Sequence, residues 1–387
     1  MQYRPSFAEI HLNHLQENFF LLKKSLIQNE FLCPMVKADA YGHGAIAVAK
    51  KLFHNGAKQV GVCLLEEAIE LRQAGIQNDI LVFRGFDIEG ARDLQSLKLV
   101  AVCSEWAHLH LLKQTNLGSK IRIHLKFDTG MNRLGFSVAE AQKLFEYFKQ
   151  HPEFQIEGLC THLLRGDDID EADGATRKQL KQMLQIESIL REFTANVHCY
   201  NSAGFLGKLN MLKSQKPLPE LLAKPWGVRP GIMLYGSQPS IKSNQFHLRP
   251  VMSLRSQIQL IRRVSAGEGV SYNSTYIANR DSEIAIVPIG YADGYHRVLS
   301  NRGRVLINGE YAPVVGNVCM DYLMIDVTDL KKRDSLNTSS IVTFFGYDED
   351  GRLHDINEVA DQAQTISYEI MTSVSRRIPR RVKGLPE

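Results

Sequence analysis

Eight short apolar runs, each followed by a polar or amphipathic stretch, constrain this chain more than any other feature of it. The runs are FLCPMVK, QVGVCLL, DILVFRG, LVAVCS, IRIHLKF, FQIEGLCTH, NVHCYNS and GVRPGIMLYG. They are nearly continuous in Val, Ile, Leu and Phe, with little of the alternation that marks a half-exposed strand. That texture suits strands of a parallel sheet buried on both faces. The stretches between them read as helices. GAIAVAKKLFHNG stops at Gly56 and EEAIELRQAG at Gly75, the second with its acids in the first turn. AEAQKLFEYFKQ and TRKQLKQMLQIESILREF are longer versions of the same pattern. Eight strand–helix units in roughly 230 residues fit a (β/α)8 TIM-type barrel of the usual ~250 residues. A doubly wound open sheet is the alternative, weakened because no G-x-G-x-x-G follows an early strand.

After about Gln238 the texture changes. VMSLRSQIQLIRRV, SEIAIVPIG, GRVLINGEYAPVVG and YLMIDV have strand character, and Asn308-Gly309 and Asp350-Gly351 signal hairpin turns. The expected organisation is a barrel over residues 13–238 and a mostly antiparallel β domain over 239–387. The strand-like SFAEIHL within residues 1–12 is expected to join the second domain. A chain of 387 residues with 44% hydrophobic content can bury a core of this size and more than one domain.

Composition also excludes partners. The net charge is only +4 and the basic residues are scattered, which argues against a nucleic-acid footprint. The local exception, SRRIPRRVKG with Arg376, Arg377, Arg380, Arg381 and Lys383, reads as a solvated strand face or terminus. No stretch approaches the ~20 apolar residues that span a bilayer, and the start lacks a signal-peptide pattern. A cytoplasmic protein without membrane partners is expected. Cys33, Cys63, Cys103, Cys160, Cys199 and Cys319 lack C-x-x-C spacing and read as reduced thiols, not as zinc ligands.

Active sites of such barrels lie at the C-terminal ends of the strands. Reading those ends gives Lys37, with Asp39 and Tyr41, after the first strand, and Lys126, Asp128 and Arg133 after the fifth. His162 follows the sixth, Asn201 and Ser202 the seventh, and Arg229 and Gly231 the eighth. Each has an ordinary explanation as a rim residue reaching water. Together they suggest chemistry. A lysine at the end of an apolar strand loses solvation, which favours the neutral, nucleophilic amine. Ser202 and the glycine turn of the eighth strand lie where barrels bind phosphate. A reactive lysine facing a phosphate cradle points to pyridoxal phosphate. A lysine-dependent aldolase acting on a sugar phosphate remains open on these residues alone.

The motifs go further. MVKADAYGHGA around Lys37 resembles the cofactor-lysine motif of the alanine racemase family, as do KFDTGMNRLGF, THL, HCYNSAG and GVRPGIMLYG. The second domain adds GVSYNSTY, VPIGYADGY, VVGNVCMDYLMIDV and TISYEI, in the family's order. The resemblance implies a head-to-tail homodimer that interconverts L- and D-alanine on pyridoxal phosphate, with no metal. Lys37 would carry the cofactor. Tyr41, Ser202, Gly231, Ile232 and Tyr368 would hold its phosphate, with Asn201 alongside, and Arg229 would face its pyridine nitrogen. Arg133 would bind the substrate carboxylate, and Tyr272 and Met320 would reach in from the other subunit. Tyr291 would crowd the entrance with Tyr368 and favour a small side chain, alanine before serine. Lys126 would be carbamylated to orient Arg133, with chloride or a Lys126–Asp128 pair as the alternatives.

Racemisation needs two bases on opposite faces of the substrate carbon. The resemblance assigns Lys37 to the D-face and Tyr272 to the L-face. A phenol titrates near pH ~10 in water, so it needs nearby positive charge, expected through a chain from Tyr272 to His162 to Arg229. Arg229 cannot plausibly surrender a proton, so a ring nitrogen facing it stays unprotonated. That disfavours the rival reading, a barrel-type decarboxylase, which wants a carboxylate there. Two departures from the family pattern stand out: Leu163-Leu164-Arg165 after His162, and Asn317 where many relatives have arginine. The second is expected to remove a positive charge from the entrance.

Overall fold

The structure is a computed structural model describing residues 4–27, 30–116, 118–169, 171–194, 196–213, 220–239 and 246–385. After the N-terminal strand β1 (Phe7–His11), the apolar runs become a parallel sheet. Its strands are β2 (Gln59–Val62), β3 (Asp79–Val82), β4 (Val100–Cys103), β5 (Ile121–Lys126), β6 (Phe154–Cys160), β7 (Val197–Tyr200) and β8 (Gly227–Val228), each bonded to the next. The first run supplies the closing piece. Leu32 bridges Val228 of β8 and Met35 bridges Gly61 of β2, both in parallel. Pro34 explains why this segment bridges without forming a full ladder, since proline has no N–H to donate. The eight-strand barrel is therefore closed, and the open-sheet alternative is excluded.

β1 does not join the barrel. It pairs antiparallel with β9 (Met252–Gln257) and parallel with β19 (Arg380–Lys383). β14 (Arg304–Ile307), β15 (Glu310–Pro313) and β17 (Ile341–Tyr347) complete that sheet, with β18 (Leu353–His354) on β17. Asn308 and Gly309 both adopt positive φ between β14 and β15, so the Asn-Gly signal does make a two-residue hairpin. A smaller sheet, β10 (Leu260–Val264), β13 (Ser282–Val287) and β16 (Leu323–Asp326), covers a satellite core of Val264, Val270, Ala278, Ile284 and Val315. The short pair β11 (Gly269–Val270) and β12 (Tyr276–Ile277) projects from it and carries Tyr272 on its turn.

The basic tail needs a correction. Arg376, Arg377, Arg381 and Lys383 are exposed, but Arg380 turns inward. Its Nε donates to Gly42 O at 3.0 Å, and its terminal nitrogens donate to the carbonyls of Val374, Ser375 and Ile378, each at 2.6 Å. Planar guanidinium geometry lets one side chain tie the turn after Lys37 to the C-terminal segment.

Candidate active site

The turn that presents Lys37 is left-handed. Ala38, Asp39, Ala40 and Tyr41 have φ between 52° and 54°, although none is glycine. Such a conformation costs an L-residue about 1–2 kcal/mol each, so it persists only where neighbours hold it. They do. Glu67 accepts from Ala38 N at 2.5 Å, and from Cys63 N and Leu64 N. Asp39 accepts from Ala45 N at 2.7 Å. The His43 ring donates from Nδ1 to Ala40 O and Tyr41 O, both at 2.9 Å. Arg380 holds Gly42 O from the second domain. A Cβ on Gly42 would stand 2.5 Å from Met371 O, so this glycine permits the C-terminal helix Ser367–Ser373 to press against the turn.

Lys37 and Tyr41 open into a cavity of about 900 Å³ at the C-terminal ends of the barrel strands. Lys126, Arg133, His162, Asn201, Ser202, Arg229, Gly231 and Ile232 line it, and Tyr368 closes it from the second domain. Arg84, which the sequence reading did not single out, lines it as well. Three named residues lie elsewhere: Tyr272, Met320 and Tyr291 are on the second domain, outside this cavity, and are 71%, 53% and 43% exposed.

At the end of β8 the backbone of Gly231 comes so close to Tyr41 that an added Cβ would lie 2.2 Å from the Tyr41 hydroxyl. Gly231 N donates to Ser202 Oγ at 3.1 Å. Ser202 begins the helix Ser202–Lys213, whose positive end faces this cradle. Burial pushes the Tyr41 phenol up and that of Tyr368 up to about 12, so both hydroxyls stay protonated and able to donate. A glycine backbone, a serine, two phenol donors and a helix N-terminus suit a phosphate. With Lys37 in the same cavity, the residues present fit pyridoxal phosphate.

Arg229 is nearly fully buried. Its Nη1 donates to His198 Nδ1 at 2.6 Å and to His198 O at 2.5 Å, while Nη2 donates to Thr161 O at 2.5 Å. A guanidinium only donates, so His198 Nδ1 must accept and its proton sits on Nε2. That proton is donated to His124 Nδ1 at 2.8 Å. Burial first, then Arg229, holds both rings neutral, with His124 down at about 3. The expected link from Arg229 to His162 is not formed among the described residues; His198 takes that place. His162 is nonetheless governed by the cluster. Burial, then the charges of Arg229, Arg133, Lys126 and Lys37, bring its imidazole to about 3, so it is neutral at pH 7.

Lys126 has no ion-pair partner among the described residues. Asp128, the expected candidate, accepts instead from Gly130 N, Asn132 N and Arg133 N of its own loop. Burial lowers the Lys126 ammonium, and Arg133 and Arg229 add to that effect. The loop after β6 is held by Gln179, which accepts from Leu164 N and donates to His162 O at 3.0 Å. Asn317 is buried. Its side chain donates to Tyr272 O at 2.8 Å.

Sequence comparison agrees with this geometry. The alanine racemase N-terminal domain model matches residues 10–239, and the C-terminal domain model matches residues 251–382. The chain belongs to the alanine racemase family. The alanine racemase of Halothermothrix orenii is 36% identical, the match covering 98% of this chain and 97% of that protein. The alanine racemase of Sorangium cellulosum is 38% identical over 97% of this chain and 98% of its own. Among solved structures, alanine racemase from Bartonella henselae with covalently bound pyridoxal phosphate superposes with a TM-score of 0.84 at 28% identity, covering 98% of this chain and 99% of that one. The barrel followed by a β domain is thus the architecture of the alanine racemase family.

His124, His198, Gln179 and Glu67 escaped the sequence reading, and Arg380 was read only as part of a solvated tail. One signal was available. His124 stands two residues before Lys126 on β5, hence on the same face of the strand. A polar residue at that spacing from a rim lysine belongs to the barrel interior beneath the site.

Proposed function

We propose that this protein interconverts L-alanine and D-alanine using pyridoxal phosphate held at Lys37. The observation that carries the proposal is the placement of Lys37, Arg229 and the Tyr41–Ser202–Gly231 cradle in one cavity of a family member. Pyridoxal phosphate, when bound, supplies an electron-withdrawing ring that weakens the Cα–H bond of an attached amino acid. Lys37 Nζ would tether it, and the free Lys37 amine would take or return a proton on the D-face. Tyr272 of the partner subunit does the same on the L-face through its hydroxyl. Arg133 orients the substrate carboxylate. Arg229, fixed on His198 and Thr161, would face the ring nitrogen of the bound cofactor and favour its unprotonated form.

The cavity carries Arg84, Arg133 and Arg229 against the single carboxylate of Glu369, a balance that stabilises a phenolate. Neutral His162 offers a ring nitrogen to accept from the phenol. Lys126, with its lowered ammonium and no carboxylate partner, is suited to add CO2, and the resulting carbamate would accept from the Arg133 fork. The assignment of Tyr272, Met320 and Tyr291 to a homodimer interface is supported by their exposure beside Tyr322 and Ile277, an apolar surface that a second copy would cover. The division at residues 12 and 238, a cytoplasmic location and a role in supplying D-alanine for peptidoglycan or in catabolising it complete the reading. Among the described residues no helix is long and apolar enough to cross a membrane.

The test is direct. Pure L-alanine with cofactor-loaded enzyme should lose optical rotation toward zero, and Lys37→Ala should abolish both this and the borohydride-fixed cofactor. Unchanged rotation with cofactor bound would refute the assignment.

A further inference from the structure

The most strained exposed turn of the second domain is the one that carries Tyr272. Ser271 has φ 68° and ψ −175°, Asn273 has φ 61° and Ser274 has φ 46°. Three non-glycine residues therefore hold positive φ within four positions. The Tyr272 ring does not account for this, because it is largely exposed and packs on little of its own chain. Its direction in the protomer is set by the peptide planes on either side of it. Left alone, such a turn would relax and the ring would swing with it.

Two asparagines prevent that. Asn317 is only 8% exposed, and its Nδ2 donates to Tyr272 O at 2.8 Å. In return Ser271 Oγ donates to Asn317 O at 2.7 Å. The bonds are reciprocal: a side chain of each segment grips the backbone of the other. One step further on, Asn301 Nδ2 donates to Thr275 Oγ1 at 3.1 Å while its Oδ1 accepts from Gly316 N at 2.6 Å. The turn is thus fastened at both ends to the segment that runs through Gly316 and Asn317. Beneath that segment lie Val270 and Val315 of the satellite core.

We infer that Asn317 is a positioning residue for Tyr272, fixing through its side-chain amide the peptide plane from which the phenol projects. The inference rests on Tyr272 being the base for the L-face. Asn317 spends its side-chain amide on the Tyr272 carbonyl, so its contribution is the aim of the hydroxyl. Donation is the essential property. An aspartate at 317 has the same shape but would set a carboxylate oxygen against the Tyr272 carbonyl. Any misplacement falls on one face of the reaction only, since Lys37 is held by a separate turn in the barrel.

The experiment uses full-length, cofactor-saturated enzyme in deuterated water and follows deuterium entry at Cα of each enantiomer in single turnover. Asn317→Asp should slow wash-in from L-alanine on the order of 10- to 100-fold, while wash-in from D-alanine and KM stay within about twofold. Amides of residues 271–275 should exchange faster with solvent in the variant. Ser271→Ala, which removes only the reciprocal bond, should act in the same direction and serves if Asn317→Asp does not fold. Tyr272→Phe separates the two ideas. If it leaves L-alanine wash-in intact, the two-base reading fails. If it removes L-alanine wash-in while Asn317→Asp lowers neither rate, or lowers both equally, the positioning inference is overturned.

Discussion

At the scale of single residues, the site depends on where hydrogen-bond donors are spent. Arg229 uses three N–H groups on His198 Nδ1, His198 O and Thr161 O, and so is fixed before any ligand arrives. A lysine carries one compact ammonium and cannot span those acceptors. Arg229→Lys should therefore leave at least one buried acceptor unpaired, lowering stability by about 1–3 kcal/mol. Racemisation should fall at least ~10-fold, as the guanidinium proposed to face the ring loses its fixed place. Urea melts and initial rates check both. Unchanged values would mean that positive charge alone suffices. The sequence showed Arg229 at the rim, but not that His198 and His124 stand behind it, because both histidines sit in apolar runs where a lone polar residue carries no mark of its partner.

At the scale of elements, the left-handed turn after Lys37 is the costliest local structure near the site, and Arg380 joins it to the second domain. Arg380→Met keeps much of the apolar stem but removes four donations to buried or half-buried carbonyls. The expected loss is at least ~2 kcal/mol, together with weaker cofactor retention, because the turn that aims Lys37 is released. Denaturation and the absorbance of bound cofactor after gel filtration measure the two effects. A variant that melts normally and keeps its cofactor would show that Glu67, Asp39 and His43 hold the turn unaided. The apolar runs gave the strands clearly, since their pattern is local. The turn was not legible: ADAY is an ordinary sequence, and only contacts from distant segments make its conformation tolerable.

At the scale of the molecule, two behaviours follow from burial. His43, His124, His162, His198 and His354 are all pushed down by burial first, to about 4, 3 and 3 for the first three and about 4 for the last. The folded chain then binds fewer protons than the unfolded chain between the ordinary histidine value and these lowered ones. Stability is complete above about 6.5 and declines as pH falls toward about 4, each ring contributing up to ~1.4 kcal/mol per unit. Urea midpoints at fixed protein concentration should drop between about pH 7 and about pH 5. Equal midpoints would mean that these rings are not neutral when folded. The second behaviour concerns the proposed homodimer. If Tyr272 serves the other copy, dilution through the dissociation range should abolish racemisation while cofactor absorbance at Lys37 persists. Parallel loss of both, or of neither, would count against a shared site.

The sequence by itself determined the strand–helix alternation, the change of texture near Gln238 and most of the rim residues that share a cavity, though not that Asp39 and Asp128 lie outside it. These are encoded by periodicity and by position at strand ends, which are local properties. Only the tertiary structure decided that Pro34 lies in a bridging segment closing the barrel, that Arg380 reaches back to Gly42, that His198 rather than His162 holds Arg229, and that Asn317 grips the Tyr272 backbone. Each of these joins groups far apart in the chain through one or a few directional hydrogen bonds. Such bonds leave no periodic trace in the sequence, because any one of many donors could have met the same carbonyl.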